Sequence, residues 1–292
     1  MEKFTTHFYL FVNELMNVIK INNLTFKYED NIIFENLNLN LQEGKRYVLS
    51  GLNGCGKSTL LKIISGKNLS EFDCVKVLGK DPFRDTSSNF NIAYVSNDWG
   101  TRTVAYTGFN MPLQSSIKVK EMMVKLKEKY IDRANELLDV LSINPEWRLN
   151  SISDGQRKRV QLYLGLIQPH KICLLDEVTV NLDILVKYKF FNYLKKESEI
   201  NNVCIIYVTH IFDGLNDWCT DLIYLKRNKE FIINPIENIL NKDIYSYLLE
   251  VFSKEMENNE VEKEEMNKKS YTKNAGGYTN GVLIDYNIDK NN

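Results

Sequence analysis

Nine consecutive residues, Gly51-Leu52-Asn53-Gly54-Cys55-Gly56-Lys57-Ser58-Thr59, fit the pattern G-x-x-x-x-G-K-[ST] at every fixed position. The flanks restrict the fold as much as the pattern does. Arg46-Tyr47-Val48-Leu49-Ser50 reads as a short buried strand, and Leu60-Leu61-Lys62-Ile63-Ile64 continues as a helix. Glycines in such a loop let successive backbone N–H groups turn inward around phosphate oxygens, and the helix that follows aims its positive end at them. Lys57 adds a mobile cation, and Ser58 supplies a hydroxyl for Mg²⁺, a hard ion that favours oxygen ligands and bridges phosphates. The stretch predicts a nucleoside triphosphate held by Gly51, Asn53, Gly54, Cys55, Gly56, Lys57, Ser58 and Thr59.

The 292 residues are 43% hydrophobic, enough for a large core. Lys plus Arg number 37 against 38 for Asp plus Glu, so no positive surplus supports direct binding of nucleic acid. Five scattered cysteines without C-x-x-C spacing read as thiols of a reducing compartment. No run approaches the ~20 apolar residues needed to cross a bilayer, so no membrane insertion is expected.

Residues 1–17 read as an N-terminal extension. Val18–Ile21 and Leu24–Phe26 read as strands, and Ile32–Leu41 alternates in strand fashion. Tyr28 stands where its ring could stack on a base. Further strands are expected at Val75–Leu78 and Ile92–Val95. Over 118–141, Val119, Met122, Met123, Leu126, Tyr130, Ala134, Leu137, Leu138 and Leu141 recur at three and four, predicting one amphipathic helix with its stripe in the core. Beyond 240 the pattern weakens, and the Glu-, Lys- and Asn-rich stretch from Ser253 to Lys269 predicts a largely disordered tail over 241–292.

Three further groups carry chemistry. Ser153-Asp154-Gly155-Gln156 opens a helix whose first residues include Arg157, Lys158 and Arg159; this is a second anion-binding geometry or simply an N-cap. Ile172-Cys173-Leu174-Leu175-Asp176-Glu177 is an apolar strand that delivers two carboxylates to the phosphate end of a parallel sheet. Asp176 suits the Mg²⁺ shell, and Glu177 suits a general base that takes a proton from the attacking water. Val203–Val208 is another buried strand, ending in Thr209-His210, which places an imidazole on the same edge.

In this order and spacing the loop, Ser153–Gln156, Asp176-Glu177 and His210 resemble an ATP-binding cassette (ABC) ATPase over 18–240. The resemblance implies an α/β phosphate-loop NTPase fold: a RecA-like core, an antiparallel β subdomain at the base of the nucleotide and a helical subdomain over about 97–168. It also implies a homodimer in the ATP state, each ATP clamped between the Gly51 loop of one subunit and Ser153, Gly155 and Gln156 of the other. Tyr28 then meets the adenine, Asp183 belongs to the turn that crosses to the opposite subunit, and His210 meets the γ-phosphate. Asp81-Pro82-Phe83, Trp147-Arg148, I-S-D-G-Q at 152–156, D-E-V-T-V-N-L-D at 176–183 and T-H-I-F-D-G-L at 209–215 narrow the likeness. They are similar to soluble single-cassette, subfamily I-like ABC ATPases associated with the eukaryotic CCR4-NOT deadenylase and transcription-regulating complex. Departures from the transporter pattern are Asn97 in Ser96-Asn97-Asp98-Trp99 where a glutamine is usual, Asp154 for a glycine, and Val178 and Val180 for Pro and Ser.

The resulting expectation is a cytoplasmic or nuclear MgATP hydrolase whose dimer closure regulates a protein complex. A detached ATPase subunit of a membrane transporter and a slowly hydrolysing nucleotide-dependent scaffold are the alternatives. Cys55, beside Lys57 and a helix N-terminus, sits where thiolate chemistry is favoured, and its alkylation is expected to block ATP binding.

Overall fold

The computed structural model describes residues 17–96, 101–103, 110–112, 116–226, 231–239 and 243–255. The chain forms two compact units, Met1–Asn238 and Ile239–Asn292. In the first, β1 (Asn17–Tyr28) pairs antiparallel with β2 (Asn31–Gln42) and, on its other side, with β4 (Val75–Val77). The sequence pattern predicts two short strands where β1 is one. Its pairing shifts between Ile21 and Leu24, where Asn23 takes a left-handed φ of 49° and its N–H donates to Asn38 Oδ1 at 3.0 Å. An asparagine tolerates that conformation and lets the strand continue past the bulge. Along β2, Leu37, Leu39 and Leu41 are buried while Asn38 and Asn40 face solvent, as a half-buried strand requires.

The second sheet has six strands in the order β11-β10-β3-β9-β8-β5. They are β3 (Arg46–Gly51), β5 (Ile92–Val95), β8 (Ile172–Asp176), β9 (Cys204–Val208), β10 (Asp221–Leu225) and β11 (Phe231–Pro235). The first five run parallel and β11 closes one edge antiparallel. Every residue of β3, β8, β9 and β10 is buried, the run-on burial expected of a parallel sheet covered on both faces. Parallel pairing sets the C-terminal ends of β3, β9 and β8 side by side, so Gly51, Val208 and Asp176 end on one edge. Ligands of open α/β sheets bind along that edge. A short antiparallel pair, β6 (Thr101–Thr103) with β7 (Asn110–Pro112), lies apart from both sheets.

The helices of this unit are α1 (Lys57–Ile64), α2 (Val124–Lys129), α3 (Ile131–Val140), α4 (Asp154–Leu166) and α5 (Ile184–Asn201). The single helix expected over 118–141 is instead a 3₁₀ turn at Val119–Glu121 followed by α2 and α3. Met123 has a left-handed φ of 49° before α2, and Tyr130 (φ −126°, ψ 50°) separates α2 from α3. Of the expected stripe, Val119, Ala134, Leu137 and Leu141 are buried, whereas Met123 is exposed. The periodicity holds for α3 and fails where the chain turns. In the second unit, residues 244–255 are helical, with Ile244 and Leu248 one turn apart; the rest of the expected tail lies outside the described residues.

Candidate functional site

The Gly51–Gly56 loop joins β3 to α1 and lies directly on β2. Gly56 has φ 107°, and a Cβ there would come within 2.7 Å of Ile33 Cγ2 and 2.9 Å of the Phe34 ring. Gly51 has φ 154°, and a Cβ there would meet the Leu225 carbonyl oxygen at 2.5 Å. Backbone angle and space both demand glycine at these two positions. Cys55 turns its sulfur toward Gly51, 2.9 Å from the place such a Cβ would take. A group added to that sulfur has to push into the loop, so carboxamidomethylation of Cys55 is expected to weaken ATP binding about tenfold or more, read by nucleotide titration of the labelled protein. Unaltered affinity after confirmed labelling would defeat the expectation.

Lys57 is the first residue of α1 and is buried, its Nζ donating to the Gly51 carbonyl at 2.8 Å and the Leu52 carbonyl at 3.0 Å. The cation is thus folded over the mouth of the loop. Asn53, Gly54 and Ser58 are exposed beside it, and Thr59 is half-buried. The Ser58 hydroxyl hydrogen-bonds the Asp176 carboxylate. Burial pushes the Asp176 carboxyl above its usual range, and the charge of Glu177 adds to that; the Ser58 bond and Lys62 and Lys57 oppose it. One buried carboxylate and one hydroxyl of hard oxygen character fit Mg²⁺, which takes few protein ligands and completes its shell with water and phosphate.

Glu177 follows β8 with a left-handed φ of 51°, a conformation that costs a non-glycine residue about 1–3 kcal/mol. Its N–H donates to the Val208 carbonyl at 3.0 Å, which ties the turn to β9. The carboxylate Oε1 lies 3.4 Å from His210 Nε2, and both side chains are partly exposed. Burial holds the His210 pKa below its ordinary value, the positive charge of Lys57 acts in the same direction, and Glu177 opposes. The imidazole is therefore neutral at pH 7, able to donate from one nitrogen and accept at the other.

Tyr28 ends β1, 47% exposed. Its ring stands edge-on to Phe26 with centroids 5.1 Å apart, and its hydroxyl accepts from Asn68 Nδ2 at 2.6 Å. These contacts fix the ring and leave it open to solvent.

A second cluster surrounds the start of α4. Ser153 accepts from the Gln156 N–H at 3.3 Å and Gln156 Oε1 accepts from the Ser153 N–H at 2.9 Å, a reciprocal capping box. The three basic residues behind it are committed within the chain. Arg157 donates to Asp154 at 2.8 Å and to the Ile152 carbonyl, Lys158 to the Ser96 carbonyl at 2.8 Å, and Arg159 pairs with Asp183. Asp183 in turn caps α5 by accepting from the Val186 N–H at 2.9 Å, the largest influence holding its carboxyl below the usual range. Gly155 packs on the turn before α5: a Cβ there would lie 2.7 Å from the Asn181 carbonyl oxygen.

Lys57, Ser58, Asp176, Glu177 and His210 thus form one group on the strand edge, and Ser153, Gly155, Gln156 and Asp183 form another. Among the described residues no hydrogen bond or ion pair joins the two. Sequence reasoning overlooked the Gln161 amide, which donates to the Ser96 carbonyl at 2.7 Å alongside Lys158. It also overlooked the Thr179–Tyr207 hydroxyl pair at 2.5 Å, two residues past Glu177. Both link residues distant in sequence and leave no local signal. Asn97 lies outside the described residues.

The family model described as ABC transporter matches residues 34–180. "ABC transporter I family member 20" of Arabidopsis thaliana is 41% identical over 209 residues, 71% of this chain and 63% of that protein, so the match spans less than two thirds of that relative. "CCR4-associated factor 16" of Saccharomyces cerevisiae is 36% identical over 220 residues, 72% of this chain and 76% of that protein. Among solved structures, the ATP-binding subunit of an ABC transporter superposes with a TM-score of 0.66 at 18% identity, covering 80% of this chain and 99% of that one. The dimeric structure of a bacterial ABC transporter cassette gives 0.57 at 25% identity, covering 75% and 98%.

Proposed function

Because the chain belongs to the ABC transporter family and is an ATPase of that type, we propose that it works as a single-cassette MgATP hydrolase of the cytoplasm or nucleus. In this reading, two copies close head to tail on ATP and use the closure to regulate a protein assembly of the CCR4-associated kind. The observation that carries it is the convergence of Lys57, Ser58, Asp176, Glu177 and His210 on one strand edge. The Gly51 loop and Lys57 hold the phosphates. Ser58 and Asp176 would hold Mg²⁺, which would supply positive charge to the phosphates. Glu177 takes the proton of the attacking water, and neutral His210 donates a hydrogen bond to the γ-phosphate oxygens without competing for that proton. Tyr28 stacks on the adenine.

Support for the partner comes from the yeast relative, whose name ties that protein to CCR4. The matching family model is described as ABC transporter, which makes a membrane-bound role the rival. Among the described residues no helix is long and apolar enough to cross a membrane, so that role requires a separate membrane chain. Native affinity purification after cell fractionation decides between them. Recovery with soluble proteins of an mRNA-decay or transcription assembly is expected; stable recovery with integral membrane subunits would overturn the reading.

A further inference from the structure

The segment Thr209–Leu215, beyond its histidine, is not used by the ATP site. Its Asp213 and Gly214, with Asp217 just beyond it, form one wall of a groove of about 580 Å³ whose other wall is α5. The floor is aromatic: Phe191 and Trp218 are buried with ring centroids 5.2 Å apart, and Trp218 Nε1 donates to the Phe191 carbonyl at 3.0 Å. The rim at the start of α5 is apolar and open, with Ile184 89% and Tyr188 65% exposed. The walls differ in charge. Lys187 and Lys195 stand on the α5 side, Asp213 and Asp217 on the loop side. Among the described residues none of the four makes an ion pair within the chain, although Lys187 lies over the Phe191 ring at 5.8 Å.

A face carrying a basic wall, an apolar centre and an acidic wall is complementary to itself. Under a two-fold axis the lysines of one copy meet the aspartates of the other twice over, and the apolar rims meet between them. We propose that this groove pairs two copies of the chain in the absence of nucleotide, each copy's α5 rim seated in the other's groove. The pairing goes beyond the head-to-tail closure on ATP and does not rest on it. The groove also reaches the site described above: Phe191 and Trp218 pack on Tyr207, whose hydroxyl bonds Thr179. Occupancy of the groove therefore bears on the turn that carries Glu177.

Charge reversal tests the pairing. Sedimentation of the nucleotide-free full chain at about 100 µM in low salt is expected to show a dimer that about 0.5 M salt weakens. The double variants Lys187→Glu/Lys195→Glu and Asp213→Lys/Asp217→Lys each set like charges against like and are expected to lose at least about tenfold in self-association. An equimolar mixture of the two restores opposite charges at both contacts and is expected to dimerise again, an outcome that a misfolded chain could not give. A wild type that stays monomeric, variants that pair as the wild type does, or a mixture that fails to pair would each overturn the proposal. So would a different protein whose binding is lost in both variants while the wild type stays monomeric. ATP-driven association of the Glu177→Gln protein, measured at micromolar concentration, stands or falls separately.

Discussion

Glu177→Gln lowers ATP turnover by about 10²–10⁴-fold, the range a positioned general base supplies, while MgATP affinity stays within a few-fold of wild type. The amide has the shape of the carboxylate and lacks its basicity. The backbone at position 177 is fixed by its N–H bond to the Val208 carbonyl and by φ 51°, both of which glutamine tolerates as glutamate does. Asp176 and Ser58 keep their mutual hydrogen bond, so the pair proposed to hold Mg²⁺ is unaltered. Neutral His210 loses a carboxylate neighbour at 3.4 Å and keeps its place on the strand edge. With binding intact and the chemical step blocked, the variant accumulates an ATP-bound dimer at micromolar concentration, visible by light scattering and absent with ADP. Turnover at the wild-type rate would remove Glu177 from the base role. A large loss of affinity would place its contribution in the ground state.

What the sequence shows of this site is what local geometry demands. Gly56 needs its glycine because φ is 107° and because β2 lies under it, and the first of these reasons is written in the loop pattern itself. The acids at the end of β8 are legible because four buried apolar residues, Ile172–Leu175, precede them, so the first polar residues mark the end of the strand. Ser153-x-x-Gln156 is a legible capping box, and the structure gives it that role within one chain. The break of the expected helix at Met123 and Tyr130 is illegible, since neither proline nor glycine marks it and the stripe runs on across it. Lys158 and Gln161 look like exposed helix residues in sequence, yet both reach one carbonyl, Ser96, across more than 60 residues. Such contacts depend on where β5 meets α4, which no local pattern encodes.

Gly155→Ala is expected to cost about 1–2 kcal/mol of unfolding stability and about 10- to 100-fold in turnover, and the sign is what makes it informative. At a helix position with space around it, alanine in place of glycine stabilises by roughly 1 kcal/mol. Here the added methyl would stand 2.7 Å from the Asn181 carbonyl oxygen, a backbone atom that moves only with its turn, and overpacking of this kind costs about 1–3 kcal/mol. That turn is held at both ends: Leu182 N–H donates to the Thr179 carbonyl at 3.1 Å, and Asp183 caps α5 and pairs with Arg159. A shift of Asn181 is therefore passed back through Thr179 toward Glu177, and a misplacement approaching 1 Å near reacting groups costs about 10² in rate. If Gly155 served only to face the ATP of a second copy, the isolated chain would gain the helix-favouring term and melt higher. Thermal unfolding of the nucleotide-free protein separates the two, because a raised melting temperature leaves no room for the close packing on Asn181 as the reason for glycine at this position.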